Sequence, residues 1–223
     1  MKKIWFILVI LGLTVFSMPL LAQEATPGTK EVLLQSADRI KYDSKGETFL
    51  ASGKVVAIQG ENRIQCEELF FNLRENQGDF KGQVVVTRGK TEIRAQHMNG
   101  DFDTEIYQFK DQVELKKERE EEGGTSLIFW KATALFYNGK NEEAWSEGGV
   151  EIAWKEITIK ADKVHYFPKS EGQEERMTLE GKVVITEKNR ELEVARAIYY
   201  LDSETLDAEG ITRGKFLIEE KES

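Results

Sequence analysis

Few side chains in this 223-residue chain are of the types that cut, transfer or coordinate. Its only cysteine is Cys66, and its only histidines are His97 and His165. A thiolate nucleophile needs a base within reach, and a zinc site needs several thiolate or imidazole ligands converging on one point. One cysteine and two scattered histidines supply neither. Asp101-Phe102-Asp103-Thr104-Glu105 places oxygens at alternate positions as a calcium loop does, but the later glycine and bidentate glutamate are missing, so it reads as a hairpin turn. Glu118 to Glu122 with Gly123-Gly124 reads as a solvated loop. Trp130, Trp145 and Trp154 read as packing residues. Neither an enzyme nor a metal or cofactor site is expected.

The elements must therefore position something other than reacting groups. With 40 acidic against 31 basic residues the formal charge is −9, which opposes binding to a phosphate backbone and excludes nucleic acid as a partner. A hydrophobic fraction of 40% with only 3 prolines describes a folded chain. Met1-Lys2-Lys3, the apolar Ile4 to Leu21 and Leu20-Leu21-Ala22 form the three parts of a secretory signal peptide over 1–22. The competing reading is an uncleaved membrane anchor, because that apolar run just reaches a bilayer-spanning length. Export puts the rest in the periplasm or outside the cell: a linker over 23–32, one domain over 33–218 and a charged tail over 219–223.

Internal periodicity sets the fold. A small residue recurs at Ala37, Cys66, Ala95, Ala132, Ala161 and Ala195, at spacings of 29, 29, 37, 29 and 34. A second column runs Gly53, Gly82, Asp111, Gly148, Gly181 and Gly210, usually followed two residues on by Val. The extra lengths are two acidic insertions, Lys116 to Thr125 and Pro168 to Glu175. Each of the six units holds two runs rich in Val, Ile, Thr and aromatics, joined by short polar or Gly-bearing turns, and so reads as a hairpin. Members of the two columns average in number to the turn centres, as residues paired across a hairpin do. The expectation is an all-β fold: a six-hairpin antiparallel meander whose line of Gly and Ala is a crease, along which the sheet doubles into an elongated twisted jelly roll.

Alternation assigns the inner face. Val55, Val84, Val86, Val113, Leu115, Val150, Ile152, Val183 and Ile185 point inward on the glycine-bearing strands, whereas Lys54, Lys110, Glu147 and Glu209 point outward. Ile40, Ile64, Leu69, Ile93, Met98, Leu135, Ile159 and Val164 line the same interior from the other strands, with a one-residue slip of phase at the crease that calls for a bulge. Each arm, at about five residues of about 3.3 Å, matches a medium-length acyl chain. If the arms touch, the interior is a sandwich core in a structural envelope protein; if they part, it binds an apolar ligand. The first strand, near Leu33 to Tyr42, and the last, near Thr205 to Arg213, have free edges that recruit other chains by strand addition.

Ala51-Ser52-Gly53-Lys54-Val55-Val56-Ala57, Asn62-Arg63-Ile64-Gln65-Cys66-Glu67-Glu68-Leu69 and Glu180-Gly181-Lys182-Val183-Val184-Ile185 resemble the repeating G-x-V-x-[VI] and I-x-A-[DE]-x-[VLI] pattern of the organic solvent tolerance, or LptA, family of lipopolysaccharide transport proteins. The likeness covers nearly the whole chain after the leader. It implies a non-enzymatic twisted jelly roll that shields lipopolysaccharide acyl chains in its groove. It also implies edge-to-edge joining, with bridge proteins or with itself, between the inner and outer membranes. A retained N-terminal segment would instead resemble the anchored LptC member of that pathway. The chain departs from the pattern at Asp111 and in the insertion after Leu115, both expected to interrupt a continuous groove.

Overall fold

β-Branched and aromatic residues in alternation leave the backbone one good option, the pleated strand. The computed structural model describes residues 32–121 and 123–217, and the signal-peptide and tail expectations fall outside them. Thirteen strands follow in order: β1 (Leu33–Ser36), β2 (Arg39–Asp43), β3 (Thr48–Gln59), β4 (Asn62–Asn72), β5 (Gln77–Arg88), β6 (Thr91–Asp101), β7 (Ile106–Glu121), β8 (Gly124–Asn138), β9 (Ala144–Trp154), β10 (Ile157–Phe167), β11 (Arg176–Glu187), β12 (Arg190–Tyr200) and β13 (Thr205–Phe216). From β3 onward each pairs antiparallel with the next, and β1 and β2 both pair with β3 as halves of one interrupted first strand. The expected meander with two free edges is what forms.

Turns alternate in kind. After β2, β4, β6 and β8, the side chains of Asp43, Asn72, Asp101 and Asn138 accept hydrogen bonds from backbone N–H groups two or three residues on. These Asx turns form one long rim and follow the repeat spacing. Asp101 spends its carboxylate this way, as a turn residue. The opposite rim is made of two-residue turns, Gly60-Glu61, Gly89-Lys90, Lys155-Glu156 and Lys188-Asn189. The two are called the Asx rim and the tight rim.

Midway between the rims every glycine-bearing strand bends. Gly53 and Lys54 are both left-handed, with φ of 76° and 48°, and the same pairing recurs at Gly82-Gln83, Gly148-Gly149 and Gly181-Lys182. Pairing passes from Ser52 with Glu68 to Val55 with Cys66, so two residues oppose Glu67 alone. That is a bulge, and it both bends the strand and shifts the phase of its partner. A Cβ on Gly53, Gly82 or Gly181 would fall on the side chain of Asp38, Glu67 or Asp162, so the glycine is needed for space as well as for φ.

Two expectations change here. The small columns do not face each other: Cys66, Ala95 and Ala161 pair with Val55, Val84 and Val150, because the bulge displaces each glycine onto the residue after the alanine or cysteine. Asp111 does not interrupt the crease. With φ of 63° beside Gln112 at 56° it takes the same left-handed bend, which aspartate tolerates better than most residues.

Candidate functional site

Folding along the crease brings the inner faces of the two arms together. Sixteen of the seventeen residues assigned to the interior are buried, among them Leu69, Val84, Met98, Leu135, Ile152, Val183 and Ile185, each fully. Ile40 is the exception at 57% exposed. It lies beside buried Ala51 on the inner face of the first strand, where no further strand covers it. Phe71, Phe80, Phe102 and Tyr107 add an aromatic cluster on the Asx arm, with ring centroids 5.3 to 6.0 Å apart.

No hydrogen-bonded pairing joins strands that are not neighbours along the path, among the described residues. The seam where the rims meet is closed by side chains. Tyr107 Oη donates to Gln59 Oε1 at 2.9 Å, and Arg88 donates to the Gly139 carbonyl. Lys117 reaches Glu142 at 3.4 Å. Farther along, Arg119 donates to Glu175 at 2.7 Å, to Glu121 at 3.0 Å and to Asp202, while Lys155 joins Glu121 at 2.8 Å and Glu204 at 2.5 Å.

Both acidic insertions build this last group. The first is not a loop: β7 runs through Glu118 to Glu121, and Glu122 lies outside the described residues. Lys117, Arg119 and Glu121 keep the parity of Val113 and Leu115, so the strand carries them inward to the seam. That alternation was visible in the sequence but overridden by the density of charge. The second insertion supplies Glu175, which is buried and accepts a hydrogen bond from Tyr166 Oη at 2.5 Å. Trp154 Nε1 donates to Ser126 Oγ at 2.9 Å and Ser126 to Glu121 at 2.6 Å, completing a chain of bonds from one arm to the other. Burial raises the Glu121 carboxyl, but Lys155, Ser126 and Arg119 more than offset this and hold it at about 2. The insertion thus fastens the seam.

Every contact that crosses the seam joins a tight-rim residue to an Asx-rim residue farther along the chain. The ends are consequently unlike. At the start, the Asx arm overhangs and exposes Ile40 and Tyr42; at the end, the tight arm overhangs and exposes Phe216 and Leu217, while Ile211 is bare near the crease. The apolar interior therefore runs out into two open mouths.

The other candidates are structural. Cys66 is buried in its column, donates to the Glu68 carbonyl at 3.2 Å and has its thiol pushed up to about 12 by burial, so it is no nucleophile. His97 sits on the outer face bonded to Asp79. Trp130 and Trp154 pack in the core, whereas Trp145 stacks on Phe136 outside, centroids 5.3 Å apart. Between the arms, beneath Lys117 and Glu142, Leu115, Ile128, Trp130, Tyr137 and Ala144 enclose a cavity of about 10 Å³, near the size of one water.

No family model and no curated protein matches this chain. Among solved structures it is similar to LptH, described as the LptA-homologous periplasmic component of the conserved lipopolysaccharide transport device of Pseudomonas aeruginosa. The two are 11% identical, the similarity spans 86% of this chain and 96% of that one, and the TM-score is 0.38.

Proposed function

We propose that this chain is an exported carrier that shields the acyl chains of lipopolysaccharide or a similar glycolipid between its two arms. In this reading it works in the periplasm and bridges the membranes by joining end to end with itself and with other bridge proteins. One observation carries it: an apolar interior that reaches two open mouths is closed along its length by side chains alone. The arms can part without breaking a single strand pairing, and each CH₂ buried between them is worth about 0.8 kcal/mol. The overhangs fit the bridging role, since the bare tight arm at one end complements the bare Asx arm at the other and both carry free strand edges. The repeat motif that resembles the LptA family supports the same reading, and nothing in it requires catalysis.

The test is mass spectrometry of protein purified in mild detergent, which is expected to find glycolipid bound in near-stoichiometric amount. A second reading rests on the tight packing: a structural envelope repeat with a dry core, which would carry no lipid. N-terminal sequencing separates a cleaved carrier beginning at Gln23 from an anchored subunit.

A further inference from the structure

The seam is not uniform. In its first part each contact is single: Tyr107 meets the Gln59 amide oxygen, Arg88 the Gly139 carbonyl, and Lys117 pairs with Glu142 alone at 3.4 Å. Water replaces such partners readily when the arms separate. In its second part Arg119 binds three carboxylates at once, two of them across the seam, and Lys155 bridges Glu121 and Glu204. Charge-assisted bonds are roughly twice as strong as neutral ones. A network whose members satisfy one another must also break as a unit. Arg119 and Glu175 are about nine-tenths buried, and Arg119 lies over the Trp154 ring, 5.6 Å from its centroid.

We propose that the interior is divided where the seam changes: the stretch closed by Tyr107 and Arg88 opens to admit an apolar ligand, while the stretch beyond it is held shut by the clasp that Arg119 on β7 makes with Glu175 and Asp202. The cavity between Trp130 and Tyr137 marks the inner end of the opening half. Trp130 Nε1 and Tyr137 Oη are buried there without partners. Two free donors among apolar walls suit an acceptor oxygen such as the ester or amide carbonyl of an acyl lipid. The ligand's identity rests on the carrier reading; the division does not.

The repeat supplies its own reporters. Cys66 and Ala161 hold the same column position in the two halves and are equally buried. Maleimide labelling of the full chain at Cys66 is compared with labelling of a Cys66→Ala, Ala161→Cys chain, both stripped of lipid by refolding. Cys66 is expected to react about tenfold faster than the thiol at 161, because local opening sets the rate. Arg119→Met should raise labelling at 161 about tenfold and change Cys66 by less than about twofold. Equal rates in the two halves, no response at 161, or equal acceleration at both sites would overturn the division. If Arg119→Met does not fold, Asp202→Asn removes one cross-seam carboxylate and should raise labelling at 161 about threefold; no rise overturns the proposal. Failure of the carrier reading looks different: no lipid in the purified protein, with the asymmetry of labelling intact.

Discussion

Arg119 and Glu175 stand 56 residues apart in sequence and 2.7 Å apart in space, and each comes from a stretch by which its repeat exceeds the others. Two lengthenings that look unrelated along the chain are therefore one device. Without the first, Glu175 of the second would be a buried charge with no cation.

Removing one partner exposes that dependence. Arg119→Met should destabilise the fold by about 3–5 kcal/mol, since Glu175 stays buried without its cation while Glu121 keeps only Lys155. Adding Glu175→Gln should recover part of the loss. Urea unfolding followed by tryptophan fluorescence measures both, with the slope against denaturant unchanged.

Acid should loosen the same place. Glu121 titrates at about 2 in the folded chain against an ordinary value of 4.5, and Lys169, working against burial and helped by Arg119, also lowers Asp202. A carboxyl with a depressed folded value contributes its full stabilisation above the ordinary value and loses it as pH falls toward the folded one. The thermal midpoint should therefore drop between about pH 4.5 and pH 2, and the drop should be shallower in Arg119→Met.

At the crease, Gly82→Ala should cost about 1–2 kcal/mol for its left-handed backbone, plus the clash with Glu67. Adding Glu67→Ala should relieve only part of the clash, because the Cβ of residue 67, 2.8 Å from the new methyl, remains. Gly60→Ala, at a tight turn with open space around it, should cost the backbone part alone. Chemical denaturation of the four chains separates the two components.

Charge at the mouths should spare the fold and abolish joining. Ile211→Asp and Phe216→Asp alter exposed positions, so stability should move by less than about 0.5 kcal/mol. Sedimentation velocity at rising concentration should show end-to-end species in the native chain and monomer in the variants. Association that persists unchanged would place the joining surface elsewhere.

The architecture was legible because one period governs it: six hairpins, their faces and the bulge at each crossing follow from columns that anyone can align, and only the break of the first strand into β1 and β2 goes beyond them. Register was harder. Pairing Gly53 with Cys66 looks natural by midpoint arithmetic, yet a bulge consumes two residues against one and moves the partner to Val55. The seam was invisible for another reason. Gln59 and Tyr107, or Lys155 and Glu204, meet because two arms of a twisted sheet close on each other, and no local pattern records that offset. Charge also misled: Glu118 to Glu121 looked like a loop because acidic runs usually are, although the strand's alternation continues through them.

That offset has an arithmetic of its own. Gln59 waits for Tyr107, 48 residues later, Arg88 for Gly139, 51 later, and Lys155 for Glu204, 49 later. A polypeptide that emerges end first thus cannot shut any early stretch until roughly another quarter of its length has followed. For that interval its greasy side faces water, and whatever it meets then finds an unfinished sheet.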